Sequence, residues 1–209
     1  MPILKLGLTG GLASGKSFVA AELQRLGASV IHADQLGHEA LLRSGPAYLP
    51  TVEFFGRHIL SHTGEIDRTL LARKVFTDPA ALEILNGFVH PAVFAREDEL
   101  FAAAPSGTLV VVEAAILIET GSYRKLDKLA VVYCSPEQQI QRALQRPGAT
   151  RQDVEARLSR QLPLSEKLRF ADYTIDTSGT ELATLRQTRA LFATLKEDLH
   201  QLCDSAPSS

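Results

Sequence analysis

Cysteine is scarce in this 209-residue chain. Cys134 and Cys203 lie far apart and no C-x-x-C pair occurs, which argues against a disulfide or thiolate metal site and for two reduced, structural thiols. An excess of one charge is also missing. With 22 Lys and Arg against 24 Asp and Glu, the formal net charge is -2, so there is no general basic footprint for nucleic acid. No apolar run approaches the roughly 20 residues of a membrane span. The first motif begins too close to Met1 to leave room for a secretory leader, so a cytoplasmic protein without a membrane partner is expected. Asparagine occurs once, at Asn86, followed by Gly87; an N-K-x-D element that reads guanine therefore cannot be assembled. His58 and His62 have i, i+4 spacing, but no acidic residue follows His58 as in H-E-x-x-H, and a solvated loop or helix face is expected.

What is present suits an ordinary globular protein of one domain with inserts, 45% hydrophobic and 22% charged,. One stretch stands apart. Residues 3–26 read ILKLGLTGGLASGKSFVAAELQRL, an apolar run, a glycine-rich turn and a helical pattern in succession, with Gly10, Gly15, Lys16 and Ser17 spaced as G-x-x-x-x-G-K-S. The glycines let the main chain curl with its N–H groups inward, Lys16 adds a mobile positive charge, and Ser17 offers a hydroxyl to a phosphate-bound Mg²⁺. Gly10, Gly11, Leu12, Ala13, Ser14, Gly15, Lys16, Ser17 and Phe18 thus form the expected cradle for a nucleoside triphosphate. Val19, Leu23 and Leu26 on one face, with Gly27 as a stop, predict a helix whose N-terminal amides aim at the anion.

SVIHAD predicts a short second strand, with Asp34 where the chain leaves the sheet, the end at which open α/β sheets hold ligands. Its other reading is an N-cap for the segment from Gln35. From about Leu36 to Pro105, helical stretches such as RTLLARKVF and LEILNGFV are broken by Gly45-Pro46, Gly56, Gly64, Asp78-Pro79 and His90-Pro91, with no convincing strand. In this helical insert, Asp67-Arg68 and Arg73-Lys74 either face an anionic acceptor or form a wet helix face. TLVVVEAAIL restores the sheet with a strand buried on both faces, ending at Glu113, which either acts on a metal through water or caps the next turn. LAVVYC is a further strand. In SPEQQIQRALQR, Ser135 and Gln138 make a capping box, Pro136 suits the first helical position, and Ile140 and Leu144 mark the buried face.

Arginine then becomes dense, at Arg142, Arg146, Arg151, Arg157, Arg160 and Arg169, joined by Lys167. Thr150 with Asp153 opens a short helix with Val154, Leu158 and Leu162 on one face and Arg157 and Gln161 on another flank. The strip suits a lid that closes on transferring phosphates; a solvated helical hairpin is the alternative. DYTIDTSG provides the last strand, and Glu181 to Leu202 an amphipathic helix through Leu182, Leu185, Phe192, Leu195, Leu199 and Leu202, before a frayed DSAPSS tail. The expected fold class is α/β, a P-loop NTPase-like parallel sheet flanked by helices. Its core covers about 1–35, 106–135 and 170–203, with a helical insert at about 36–105 and a helical lid at about 136–169.

Phosphoryl transfer needs a cradle, a metal, arginines for the moving group and an acceptor for the proton of the attacking hydroxyl, and Asp34 is the candidate for the last. Taken together, LTGGLASGKS, HADQLGHEAL, GEIDRTLLARKVF, His90-Pro91, SPEQQIQRALQR and RLSRQLPLSEKLRFADYTID resemble the dephospho-CoA kinase family over nearly the whole chain. The resemblance implies phosphorylation of the ribose 3'-hydroxyl of dephospho-CoA by ATP, the last step of coenzyme A synthesis; a monomer or small homo-oligomer is expected. It implies that Gly10 to Ser17 bind ATP phosphates, that Ser17 holds Mg²⁺ with them, and that Lys16 acts in catalysis. It further implies that Asp34 deprotonates the acceptor, that Arg142 and Arg146 are catalytic lid arginines, and that Asp34 and His90 bind the acceptor, the insert being its domain; Arg68 and Arg157, by charge and position, are further acceptor-binding candidates. The other reading of His90 is a helix-end histidine. Ala13, Phe18, Ala115 and Thr177 depart from the family's common glycine, threonine, proline and asparagine. Rival readings are another small-substrate kinase of this fold, such as a nucleoside monophosphate kinase, and a non-catalytic nucleotide-binding module. A GTPase switch, suggested by D-x-x-G at Asp34–Gly37, lacks its guanine reader.

Overall fold

Apolar runs alternating with amphipathic patterns build, in order, β1 (Leu4–Gly10), α1 (Lys16–Arg25), β2 (Ser29–His32), α2 (Ala33–Ala40), α3 (Tyr48–Phe55), α4 (Arg68–Thr77) and α5 (Pro79–Ala103). There follow β3 (Leu109–Glu113), β4 (Lys128–Tyr133), α6 (Pro136–Leu144), α7 (Arg151–Leu158), α8 (Leu164–Leu168), β5 (Tyr173–Asp176) and α9 (Glu181–Asp204). The structure, a computed structural model, describes residues 2–204, with all side chains except those of Phe76 and Thr77; the final residues of the DSAPSS tail lie outside that range.

The strands form one sheet in the order β2-β3-β1-β4-β5. β1 runs parallel to β3 and to β4, with Leu6 opposite Val111 and Leu8 opposite Ala130, and β5 runs parallel to β4. Parallel neighbours require crossovers, and the crossover helices cover the faces of the sheet, which is why these strands read as continuous apolar runs. On one face, Leu4, Leu6, Leu8, Leu109, Val111, Ala130 and Val132 pack against Val19 and Leu23 of α1 and against Leu191, Leu195 and Leu199 of α9. Each fully buried leucine contributes about 1.5–3 kcal/mol. No helix of the described residues is long and apolar enough to cross a membrane. Cys134 and Cys203 are both free thiols, the first buried; burial pushes the Cys134 thiol above its ordinary pKa,.

The chain divides into two compact units, one formed by the residues up to Ile31 with those from Ala104 onward, the other by His32–Ala103. The second unit is helical and has its own apolar cluster of Tyr48, Phe55, Ile59, Ile66, Leu71, Val75 and Leu85. Asp67 caps α4, its Oδ1 accepting from the amides of Thr69 and Leu70 at 2.8 and 3.1 Å,.

Several local expectations are corrected. His90-Pro91 does not break the helix: α5 runs through it, so His90 is not a helix-end residue. A proline there removes one main-chain bond at a cost of about 3 kcal/mol, and the burial of Leu85 and Val93 on either side holds the helix together. His32 is the N-cap of α2 and Asp34 sits in its first turn, so Asp34 is not a cap, and the D-x-x-G run lies inside a helix. α6 buries Gln139 and Ala143, whereas Leu144 is 37% exposed. α7 stops at Leu158, so the exposed Leu162 has no place on its face. In α9 the buried stripe is Thr184, Thr188, Leu191, Leu195 and Leu199, and Leu182 and Leu202 face outward. The two threonines satisfy their hydroxyls on Thr180 O at 3.4 Å and Thr184 O at 2.9 Å, which lets a polar residue serve in the core,.

Glu22 ties α1 to α9. Its buried carboxylate accepts from Arg25 Nε at 2.6 Å and from Arg189 Nε at 2.7 Å, and the guanidinium hydrogen bonds hold its pKa down, from 4.5 to about 2. Because the folded value is the lower one, this stabilisation is complete above pH 4.5 and is lost as the pH falls toward about 2,. Glu22→Gln is therefore expected to lower the urea midpoint at neutral pH, with the gap to wild type closing across that acid window. A gap that stays constant with pH would show the ion pair to be inert.

Candidate active site

The phosphate loop leaves the sheet at Gly10 and enters α1 at Lys16, at the carboxyl end of the central strand,. Side chains are excluded at its glycines by specific neighbours. A Cβ on Gly10 (φ 156°) would lie 2.1 Å from the carbonyl oxygen of Val132, and one on Gly11 would lie 2.5 Å from Gln139 Oε1. Gln139 is itself fixed, its amide donating to Cys134 O at 3.3 Å. That is why it, and not Ile140, fills the inner face of α6. Ala13 adopts φ 54° and Gly15 φ 90°, so the loop's left-handed turn is carried partly by an alanine.

Lys16 Nζ donates to the carbonyls of Gly10 at 3.1 Å and Gly11 at 2.9 Å, holding its charge against the loop. Ser17 Oγ donates to Glu113 Oε1 at 3.2 Å, so the carboxylate ending β3 meets the loop hydroxyl. A hydroxyl and a carboxylate are the hard oxygen donors that Mg²⁺ takes alongside phosphate and water. Among the described residues there is no cluster of three or more His, Cys, Asp or Glu able to hold a metal, and a phosphate-borne Mg²⁺ requires none.

The arginine-rich segment divides into engaged and unengaged groups. Arg142 braces Thr177, donating to its Oγ1 at 3.1 Å and its carbonyl at 2.7 Å, while Thr177 Oγ1 donates to Ser14 O at 2.7 Å. Arg151 pairs with Glu155 and Arg169 with Glu166. Lys167 is no part of an exposed strip: it is 1% exposed and ion-paired to Glu119 at 2.8 Å. Arg146 and Arg157 have no side-chain partner among the described residues, and with Leu12 of the loop they line a cavity of about 210 Å³.

In the helical unit, Asp34 and His38 lie one turn apart on α2, and Arg68 Nη2 meets His38 Nε2 at 2.7 Å. A guanidinium only donates, so Nε2 accepts and His38 is neutral with its proton on Nδ1. Burial first, and then the charge of Arg68, lowers the His38 pKa, against an opposing pull from Asp34. His90, half-buried, is lowered by burial and faces Phe94 with ring centroids 6.0 Å apart. The i, i+4 spacing of Asp34 and His38 was available as a sequence signal for this cluster. Nothing local marks the structural roles of Gln139, Thr177 or Glu119, because each acts through a partner distant in sequence.

Residues 4–182 match the family model described as dephospho-CoA kinase. The chain belongs to the dephospho-CoA kinase family. The dephospho-CoA kinase of Aquifex aeolicus is 38% identical over 194 residues, covering 93% of this chain and 98% of the relative. A crystal structure of a Thermus thermophilus protein matches with a TM-score of 0.80 at 31% identity, covering 94% of this chain and 98% of that one. Shikimate kinase from Acinetobacter baumannii, solved with shikimate, matches with a TM-score of 0.51 at 18% identity over 94% of each chain, a likeness of fold alone. As a member of the dephospho-CoA kinase family, the chain is an ATP-dependent phosphotransferase of the P-loop kinase fold.

Proposed function

We propose that the chain transfers the terminal phosphoryl group of ATP to the ribose 3'-hydroxyl of dephospho-CoA, completing coenzyme A in the cytoplasm. The observation that carries this reading is the family match from residue 4 to 182, which includes the helical unit as well as the phosphate loop. Gly10 to Phe18 bind ATP, with Lys16 and the loop amides on its phosphates. Ser17, with Glu113 acting through water, would hold Mg²⁺ on those phosphates, where the ion would supply neutralisation of developing charge,. Arg146 and Arg157, without a side-chain partner among the described residues, meet the phosphoryl group as it passes to the acceptor. Arg142 is a positioning residue, holding Thr177 against the loop.

Asp34 accepts the proton of the attacking hydroxyl, and the helical unit binds the acceptor through Asp34, Arg68 and His90. With His38 Nε2 engaged by Arg68, Asp34 is the member of that cluster to which we assign the proton. A coupled ADP-release assay tests the reading: dephospho-CoA is expected to be consumed far faster than AMP, CMP or shikimate. Comparable turnover on any of the three would overturn the acceptor assignment, as would a product phosphorylated elsewhere than the 3'-oxygen.

A further inference from the structure

We infer that Gln161 is a positioning residue that latches the lid to the phosphate loop and thereby sets where Arg157 lies. Gln161 Oε1 accepts the Leu12 N–H at 2.9 Å, joining residues 149 positions apart. Leu12 occupies the loop between Gly11, which backs onto Gln139, and Ala13, which makes the left-handed turn. The bond therefore falls on main chain that is already fixed from beneath.

The residue after Gln161 is fixed as well. Leu162 N–H donates at 3.0 Å to Glu119 Oε1, the oxygen that also takes Lys167 Nζ at 2.8 Å. Lys167 further donates to Ala115 O at 2.8 Å. A buried pair of this kind holds one geometry, because moving either partner leaves a charge without compensation. Gln161 thus spans an anchor at Glu119 and the loop at Leu12. Its own N–H bonds the Leu158 carbonyl at 3.1 Å, which ties it to the last turn of α7. Arg157 lies in that turn and lines the cavity that Leu12 also lines. Releasing Gln161 from Leu12 would remove a bond that joins the end of α7 to the loop, and with it a constraint on where the Arg157 guanidinium sits in the cavity that Leu12 also lines. An amide suits the task because it accepts a hydrogen bond without adding negative charge beside an anion site.

The latch rests on the phosphate-loop reading given above, which ATP titration of the wild-type protein tests separately. Gln161→Met, similar in length but without the acceptor, is compared with Arg157→Ala and the double variant, using ATP and dephospho-CoA. Loss of one interfacial hydrogen bond is expected to lower kcat by about tenfold. The melting temperature should stay within about 3 °C of wild type. In the Arg157→Ala background the same substitution is expected to cost less than about twofold, since residues that act through one another are not additive. Amide exchange at Leu12 should be faster in Gln161→Met. Equal losses in both backgrounds, a loss matched by melting, no loss, or unchanged Leu12 exchange would each overturn the latch. Failure of wild type to bind ATP would instead sink the phosphate-loop reading on which it stands.

Discussion

Asp34→Asn is expected to lower kcat by a factor of about 10²–10⁴, equivalent to roughly 3–5 kcal/mol of barrier, with ATP affinity unchanged. Asparagine keeps the size and most of the hydrogen-bonding geometry of aspartate and removes only the basic oxygen, so the loss reports proton acceptance rather than packing. The carboxylate also lies in the first turn of α2, where a negative charge stabilises the helix by about 0.3–1 kcal/mol. That smaller effect appears in melting and not in single-turnover rates. A variant that still phosphorylates dephospho-CoA within a few-fold of wild type would remove Asp34 from the chemistry, and attention would pass to its neighbour His38.

The second large effect concerns folding. Lys167→Met strips the partner from Glu119, whose Oε1 also accepts from Leu162 N–H and whose Oε2 is already buried without a hydrogen bond among the described residues. Breaking a buried pair on one side costs about 3–5 kcal/mol, which for a chain of this size is a fall of roughly 6–20 °C in melting temperature. Replacing both partners, as Lys167→Met with Glu119→Leu, should recover much of that loss, since no lone charge then remains. A single variant that melts like wild type would mean the ammonium is hydrated rather than paired. The rescued double variant also separates stability from any change in turnover.

The central strand, the phosphate loop and the capping box at Ser135 were legible because each is a local pattern enforced by backbone chemistry. The capping box is present as read, Ser135 Oγ accepting from Gln138 N–H and Gln138 Oε1 from Ser135 N–H. The helix faces were less legible. Gln139 is buried because Gly11 has no side chain, and Thr184 and Thr188 are buried because their hydroxyls bond back into their own helix. Hydrophobicity alone points to Ile140, Leu144 and Leu182 instead. Pro91 was read as a break on intrinsic preference, which the packing of α5 overrides. Arginine density, likewise, said nothing of which guanidinium is occupied. Only the contacts distinguish Arg142, held by Thr177, from Arg146 and Arg157.

The separate apolar cluster of the helical unit bears on how such enzymes diversify. Tyr48, Phe55, Leu71 and Leu85 pack with one another and share no member with the cluster beneath the strands. Substitutions among those residues are expected to be felt first in that cluster's own packing,. With the acceptor placed on the helical unit as proposed above, a change of alcohol calls for repacking within one cluster and not within the one under the strands.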